Sequence, residues 1–143
     1  MKKTLYAIFA AAVGMVAIAM IPPATPEIHG TWKIIKAQYG NEPLRDYTKE
    51  TDLVYKTFTT TRWTGVFYNL AKKTFAGSGG GTYTLKENQY RETVEYYSWD
   101  PEAVGKTFVF TMTLEKGLLH QKGFIEYKGN PEYVIDEWYT RID

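Results

Sequence analysis

The sequence has 143 residues, which is the length of a single domain. It carries 17 Lys and Arg against 16 Asp and Glu, and this near-neutral balance argues against a nucleic-acid surface or a polybasic membrane patch. The sequence contains no Cys, which excludes disulfides, thiolate nucleophiles and Cys-ligated zinc.

Residues 1–19 have the three-part pattern of an export signal peptide. Lys2 and Lys3 form a short basic region, an Ala-rich apolar run extends from Leu5 to about Val16, and residues 17–19 fit the small-x-small cleavage rule. The apolar run continues through Ile21, so a retained membrane anchor is the alternative. Both interpretations place the folded domain outside the cytoplasmic membrane, and we expect a periplasmic or secreted protein.

Residues 20–29 are predicted to be a linker, because three prolines among them favour an extended chain. From Gly30 to Asp143 the pattern changes to short strands at even spacing. The predicted strands are 30–37, 53–60, 62–68, 73–76, 82–86, 89–97, 106–115, 118–127 and 133–142. A meander of about eight to ten such strands without a long helix predicts an all-β, antiparallel up-and-down barrel over residues 30–143.

Two segments between predicted strands differ from the strands in composition. Residues 41–52 lack alternation and carry several charges, and they are predicted to form either a lid over the barrel mouth or a solvated loop. Residues 77–81 consist of Gly and Ser, but no Lys-Ser or Lys-Thr pair and no helix follows, which argues against a phosphate-binding loop. We therefore predict a flexible hairpin at 77–81.

The residues available for catalysis are few. The sequence has two His, His29 and His120, and two Ser, Ser78 and Ser98, with no nucleophile elbow around either Ser. Nothing in their spacing supports a triad or a metal site, so we expect no enzyme activity, no metal and no cofactor. The alternative is a carboxylate pair, Glu92 with Glu137, acting on a sugar.

Strand alternation indicates which polar residues share a face with apolar ones. In strand 89–97, Glu92 falls in phase with Val94, and in strand 133–142 Glu137 falls in phase with Ile135. A buried carboxylate needs a partner, and Arg62 and Arg141 are the candidate cations. Polar groups among apolar walls are typical of a small-molecule site, whereas a barrel filled by its own side chains is the alternative.

The predicted function is the binding of a small hydrophobic or amphipathic molecule inside the barrel. The alternative is a non-catalytic interaction or structural module with a filled barrel. The predicted ligand-binding residues are Arg62, Tyr83, Tyr90, Glu92, Phe110, Met112, Gln121, Glu137 and Tyr139.

The opening Gly30-x-Trp32 and the Arg141 of the last strand resemble the calycins, which include the lipocalins and fatty-acid-binding proteins. The stretch 81–85 with Tyr90-x-Glu92 also looks like small secreted lipocalin-like families without an established activity. The resemblance implies a barrel closed by a cation–π contact between Arg141 and Trp32. Fatty-acid-binding proteins carry Arg-x-Tyr in the last strand to hold a carboxylate, and here Asp143 stands in the place of that Tyr.

Overall fold

The structure, a computed structural model, describes residues 25–49 and 52–143. The predicted signal peptide and residues 20–24 of the predicted linker lie outside the described residues. The strands are β1 Gly30–Tyr39, β2 Arg45–Asp46, β3 Asp52–Phe58, β4 Arg62–Asn69, β5 Thr74–Lys86, β6 Gln89–Tyr97, β7 Thr107–Glu115, β8 Leu118–Tyr127 and β9 Asn130–Arg141. One 3₁₀ turn, Pro101–Ala103, lies between β6 and β7.

The strands form one antiparallel sheet that closes on itself. Each strand from β3 to β9 pairs with the next one along the chain, and β1 pairs with both β3 and β9. The two-residue β2 extends this wall beside Lys36 and Ala37 of β1. The predicted all-β, antiparallel up-and-down barrel is therefore confirmed, with eight strands in its wall.

Alternating side chains explain why the strands curl around a common interior. In β7, Phe108, Phe110 and Met112 are buried, whereas Val109 and Thr111 between them are exposed. The same period of two holds in β3 and β6, and closure buries the apolar faces together. Within residues 25–49 and 52–143, no helix has the length and apolar character needed to cross a bilayer.

The prediction of a flexible hairpin at residues 77–81 is wrong, because these residues continue through the middle of β5. Their glycines leave room for aromatic rings from β6 and the loop that follows it. A Cβ added at Gly79 would meet the Tyr97 ring at 2.5 Å, and one added at Gly77 would meet the Trp99 ring at 2.4 Å. The rings cover the bare backbone and stabilise a strand that glycine by itself disfavours.

One end of the barrel is closed. The Arg141 guanidinium lies 4.7 Å from the centre of the Trp32 ring, and the two residues are partners in the β1–β9 register. The Trp32 Nε1–H donates to the Ile28 carbonyl at 2.8 Å, so the segment before β1 packs under the barrel floor. Ile28 itself is buried, and the turns between β5 and β6 and between β7 and β8 are short at this end.

Candidate functional site

An interior cavity of about 220 Å³ occupies the barrel towards the end opposite Trp32 and Arg141. Its wall includes Tyr39 at the far end of β1 and Tyr133 near the start of β9. Most of the remaining lining is aromatic or aliphatic, and it includes Ile34, Val54, Phe67, Val94, Tyr97, Trp99, Phe108, Phe110, Ile125 and Ile135. Strand β5 contributes no lining residue, since the Tyr97 and Trp99 rings, which line the cavity, lie over Gly79 and Gly77 of this strand.

The loop between β1 and β3 lies outside this wall. None of its described residues, 40–49, lines the cavity. Arg45 and Asp46 are instead paired with β1, and the Tyr47 N–H donates to the Ile35 carbonyl at 2.9 Å. This part of the loop is tied to the barrel wall.

A buried ion pair crosses the barrel interior. Lys56 of β3 is 6% exposed and Glu92 of β6 is 7% exposed, and the Lys56 Nζ lies 2.8 Å from Glu92 Oε2. The same ammonium donates to Gln121 Oε1 at 2.9 Å, and the Tyr90 hydroxyl donates to Glu92 Oε2 at 2.8 Å. The Lys56 ammonium also lies 4.7 Å from the centre of the Trp63 ring. The opposite charge and the hydrogen bonds of each group offset the free-energy cost of removing it from water.

A second carboxylate, Glu137 of β9, is held by two tyrosines. The Tyr39 hydroxyl donates to Oε1 at 2.9 Å and the Tyr139 hydroxyl donates to Oε2 at 2.6 Å. Burial raises the pKa of Glu137 above its usual value, although the Lys56 charge and the two hydroxyls act in the opposite direction. Burial and the neighbouring Glu137 raise the pKa values of Tyr39 and Tyr139, so both hydroxyls remain protonated donors at neutral pH.

Trp63 places an unpaired donor in the same wall. Its side chain lines the cavity and is 4% exposed, yet the indole Nε1–H has no hydrogen-bond partner among the described residues. A buried donor without an acceptor costs about 1–3 kcal/mol.

The structure brings five of the nine predicted ligand-binding residues to the cavity, namely Glu92, Phe110, Gln121, Glu137 and Tyr139. Tyr83, Tyr90 and Met112 are buried but lie outside the lining. The Tyr83 hydroxyl donates to the Thr59 carbonyl at 2.6 Å, and the rings of Tyr83 and Tyr90 pack against Phe58.

Arg62 lies on the outside of the barrel, where it pairs with Glu95. The next residue, Trp63, points inward, and alternation therefore turns Arg62 outward. Arg141 lies at the closed end over Trp32. In place of the expected arginines, Lys56 pairs with Glu92, and the Tyr39 and Tyr139 hydroxyls hold Glu137.

Sequence reasoning missed Lys56, Trp63 and Tyr39 as site residues. Lys56 lies in phase with Val54 and Phe58, both of which are buried, so alternation in β3 carried the necessary signal. Tyr39 lies two residues beyond the predicted end of the first strand. It also follows a bulge between Ile34 and Lys36, which changes the phase of β1 in a way that alternation does not reveal.

No protein-family model matches the sequence, and no curated protein matches it. Among solved structures, a lipocalin-like protein from Bacteroides uniformis ATCC 8492 is similar with a TM-score of 0.51 and 16% identity, covering 80% of this chain and 98% of that one. The chain has a lipocalin-like fold. An uncharacterized protein from Bacteroides eggerthii DSM 20697 is similar with a TM-score of 0.47 and 14% identity, over 78% of this chain and 99% of that one.

The outer wall of the lipocalin-like barrel holds a separate polar cluster. His120 stacks on Trp138 with ring centres 3.7 Å apart, and its Nε2 lies 2.8 Å from Asp136 Oδ1. Lys122 pairs with the same carboxylate at 2.7 Å. In the described part of the chain, no group of three or more His, Asp or Glu side chains is arranged to hold a metal ion.

Proposed function

We propose that this lipocalin-like barrel binds one small, partly apolar molecule in its interior cavity. The observation that carries the proposal is a cavity of about 220 Å³ whose mostly apolar wall also contains the buried polar side chains of Glu92, Gln121 and Glu137. An apolar cavity of about 150 Å³ is enough to hold benzene, and drug-sized ligands occupy about 300–1,000 Å³. The cavity therefore suits a molecule with one ring and a short substituent.

The two kinds of lining have different roles in this proposal. Apolar side chains such as Phe108, Phe110 and Ile135 supply affinity, about 25 cal/mol for each Å² removed from water before ordering costs are subtracted. Glu137 supplies selectivity, because a ligand that breaks its hydrogen bonds to Tyr39 or Tyr139 without replacing them loses about 1–3 kcal/mol. The proposal is binding without turnover, since Glu92 and Glu137 are both held in hydrogen-bonded networks.

The proposal also includes the cellular location of the protein, which the sequence supports. The basic, apolar and small-residue order of residues 1–19 is typical of exported proteins. We therefore propose a periplasmic or secreted protein whose partner is a small hydrophobic or amphipathic molecule.

The test uses phenethyl alcohol, a neutral molecule with one ring, as a probe followed by ligand-observed NMR and calorimetry. Gly65 lines the cavity and a Cβ added there has no neighbour closer than 3.8 Å, so the side chain of Gly65→Val would occupy part of the cavity. Thr64→Val changes the preceding residue, whose side chain faces outward, and is the matched control. We expect binding by the wild type and by Thr64→Val, and loss of binding in Gly65→Val.

Two results would overturn the proposal. The first is a wild-type protein that binds neither this probe nor any molecule recovered by organic extraction of protein purified from its native host. The second is unchanged binding in a folded Gly65→Val variant, which would place the probe outside the cavity. Either result would leave a non-catalytic interaction or structural module as the better description.

A further inference from the structure

We infer that the ligand of this cavity is a small monocationic amine with an apolar body, and that Glu137 holds its ammonium group. The inference rests on the proposed binding function and names the chemical class of the ligand.

The charges of the cavity wall favour a cation. The lining residues include one cationic side chain, Lys56, and two carboxylates, Glu92 and Glu137. With all three groups ionised the wall has a formal charge of −1, and the surrounding apolar residues keep water from screening it. A ligand with one positive charge would neutralise the wall, whereas an anion would raise its charge to −2.

The lysine of the wall is already engaged by the protein. Its ammonium contacts Glu92 at 2.8 Å and Gln121 at 2.9 Å, so an anionic ligand would have to compete with a buried ion pair. Arg141, which matches the Arg that holds a ligand carboxylate in fatty-acid-binding proteins, lies at the closed end over Trp32, as predicted for barrel closure. Neither cation is therefore available to a ligand carboxylate.

Glu137 has the free acceptor capacity that an ammonium needs. Each of its carboxylate oxygens accepts one tyrosine hydroxyl, from Tyr39 at 2.9 Å and from Tyr139 at 2.6 Å, and each oxygen has a further lone pair. In the described part of the chain, no cationic side chain lies within 4.0 Å of this carboxylate. The two hydroxyls fix its orientation and leave the position of a counter-ion open.

The aromatic rings near the mouth suit the same ligand. Tyr97, Trp99, Tyr127 and Tyr133 all line the cavity. Aromatic faces attract ammonium groups through the ring quadrupole, and rings arranged around a site are how proteins commonly recognise organic cations. The same rings also pack well against an apolar ligand body, so one wall serves both parts of an amphipathic amine.

The experiment compares three probes of similar size by calorimetry at neutral pH: phenethylamine, phenethyl alcohol and hydrocinnamate. We expect the wild type to bind the amine at least about tenfold more tightly than the alcohol, because a charged hydrogen bond replaces a neutral one. We expect the carboxylate to bind more weakly than the alcohol. In Glu137→Gln the ratio of amine to alcohol affinity should fall to about one, while Glu95→Gln on the outer wall should keep the wild-type ratio.

Equal or tighter binding of the alcohol or the carboxylate by the wild type would overturn the amine inference and leave the binding function standing. Failure of all three probes to bind, together with organic extracts of the natively purified protein that contain no bound molecule, would overturn the binding function itself. An amine preference that survives in a folded Glu137→Gln variant would also overturn the inference. The wild-type comparison decides the charge preference even if Glu137→Gln does not fold.

Discussion

Replacing Lys56 by Met tests whether the interior ion pair governs the stability of the barrel. Met keeps an unbranched side chain of similar length and removes the ammonium that Glu92 and Gln121 share. Glu92, which is 7% exposed, would then have to stay charged without its cation or take up a proton. Breaking a buried ion pair from one side costs about 3–5 kcal/mol.

That loss is a large part of the total stability of a domain, which is about 5–15 kcal/mol. The double variant Lys56→Met/Glu92→Gln leaves no unpaired charge, and we expect it to lose less free energy of unfolding than the two single variants added together. Urea denaturation at neutral pH, followed by tryptophan fluorescence and circular dichroism, measures all four proteins of the cycle.

The chain contains a matched control on its surface. Arg62 and Glu95 form an ion pair whose side chains are 52% and 45% exposed. Because water screens this pair, Arg62→Met should cost less than about 1 kcal/mol. If Lys56→Met costs no more than Arg62→Met, then burial does not set the strength of the Lys56–Glu92 pair and the reasoning is refuted.

Two further predictions concern Glu137 and the glycine strand. Burial raises the pKa of Glu137 in the folded protein above its usual value of 4.5, so its contribution to the free energy of unfolding is fully present below pH 4.5 and is lost as the pH rises through the folded pKa. The wild type should therefore lose free energy of unfolding relative to Glu137→Gln as the pH rises from 4.5 through the folded pKa, as measured in urea melts. A difference that does not change with pH would contradict this prediction. A Cβ at Gly81 would meet the Thr93 carbonyl at 1.9 Å, and one at Gly65 meets nothing closer than 3.8 Å. In thermal melts, Gly81→Ala should lose at least about 1–3 kcal/mol of free energy of unfolding, and Gly65→Ala should lose less than about 1 kcal/mol. Equal losses in the two variants would refute the steric argument.

The barrel was predictable from the sequence because a closed meander has a simple local pattern. Alternation in β6, β7 and β9 indicated the inward faces on which Glu92, Phe110 and Glu137 lie, and the structure has these residues at the cavity. Alternation indicates whether a side chain points into the barrel, but it does not indicate how far along the strand the cavity lies. Tyr90 and Met112 share the inward face but lie outside the cavity lining.

The remaining features depend on contacts between distant strands. Alternation in β3 turns Lys56 inward, but its partners are Glu92 and Gln121 because β3 lies across the barrel from β6 and β8, and the order of residues along the chain does not show this. The five residues of 77–81 have the composition of a loop, and the rings that hold them in a strand come from Tyr97 and Trp99 about 20 residues later.

The seam between β1 and β9 governs how fast the barrel assembles. Thr31 and Asp143, which are hydrogen-bonded at this seam, are 112 positions apart in the sequence. Bringing together two points this far apart on a flexible chain costs about 4 kcal/mol of conformational entropy. The Lys56–Gln121 and Tyr39–Glu137 hydrogen bonds span 65 and 98 positions. We therefore expect hairpins to form first, the seam and the interior polar bonds to form late, and folding to take milliseconds to seconds.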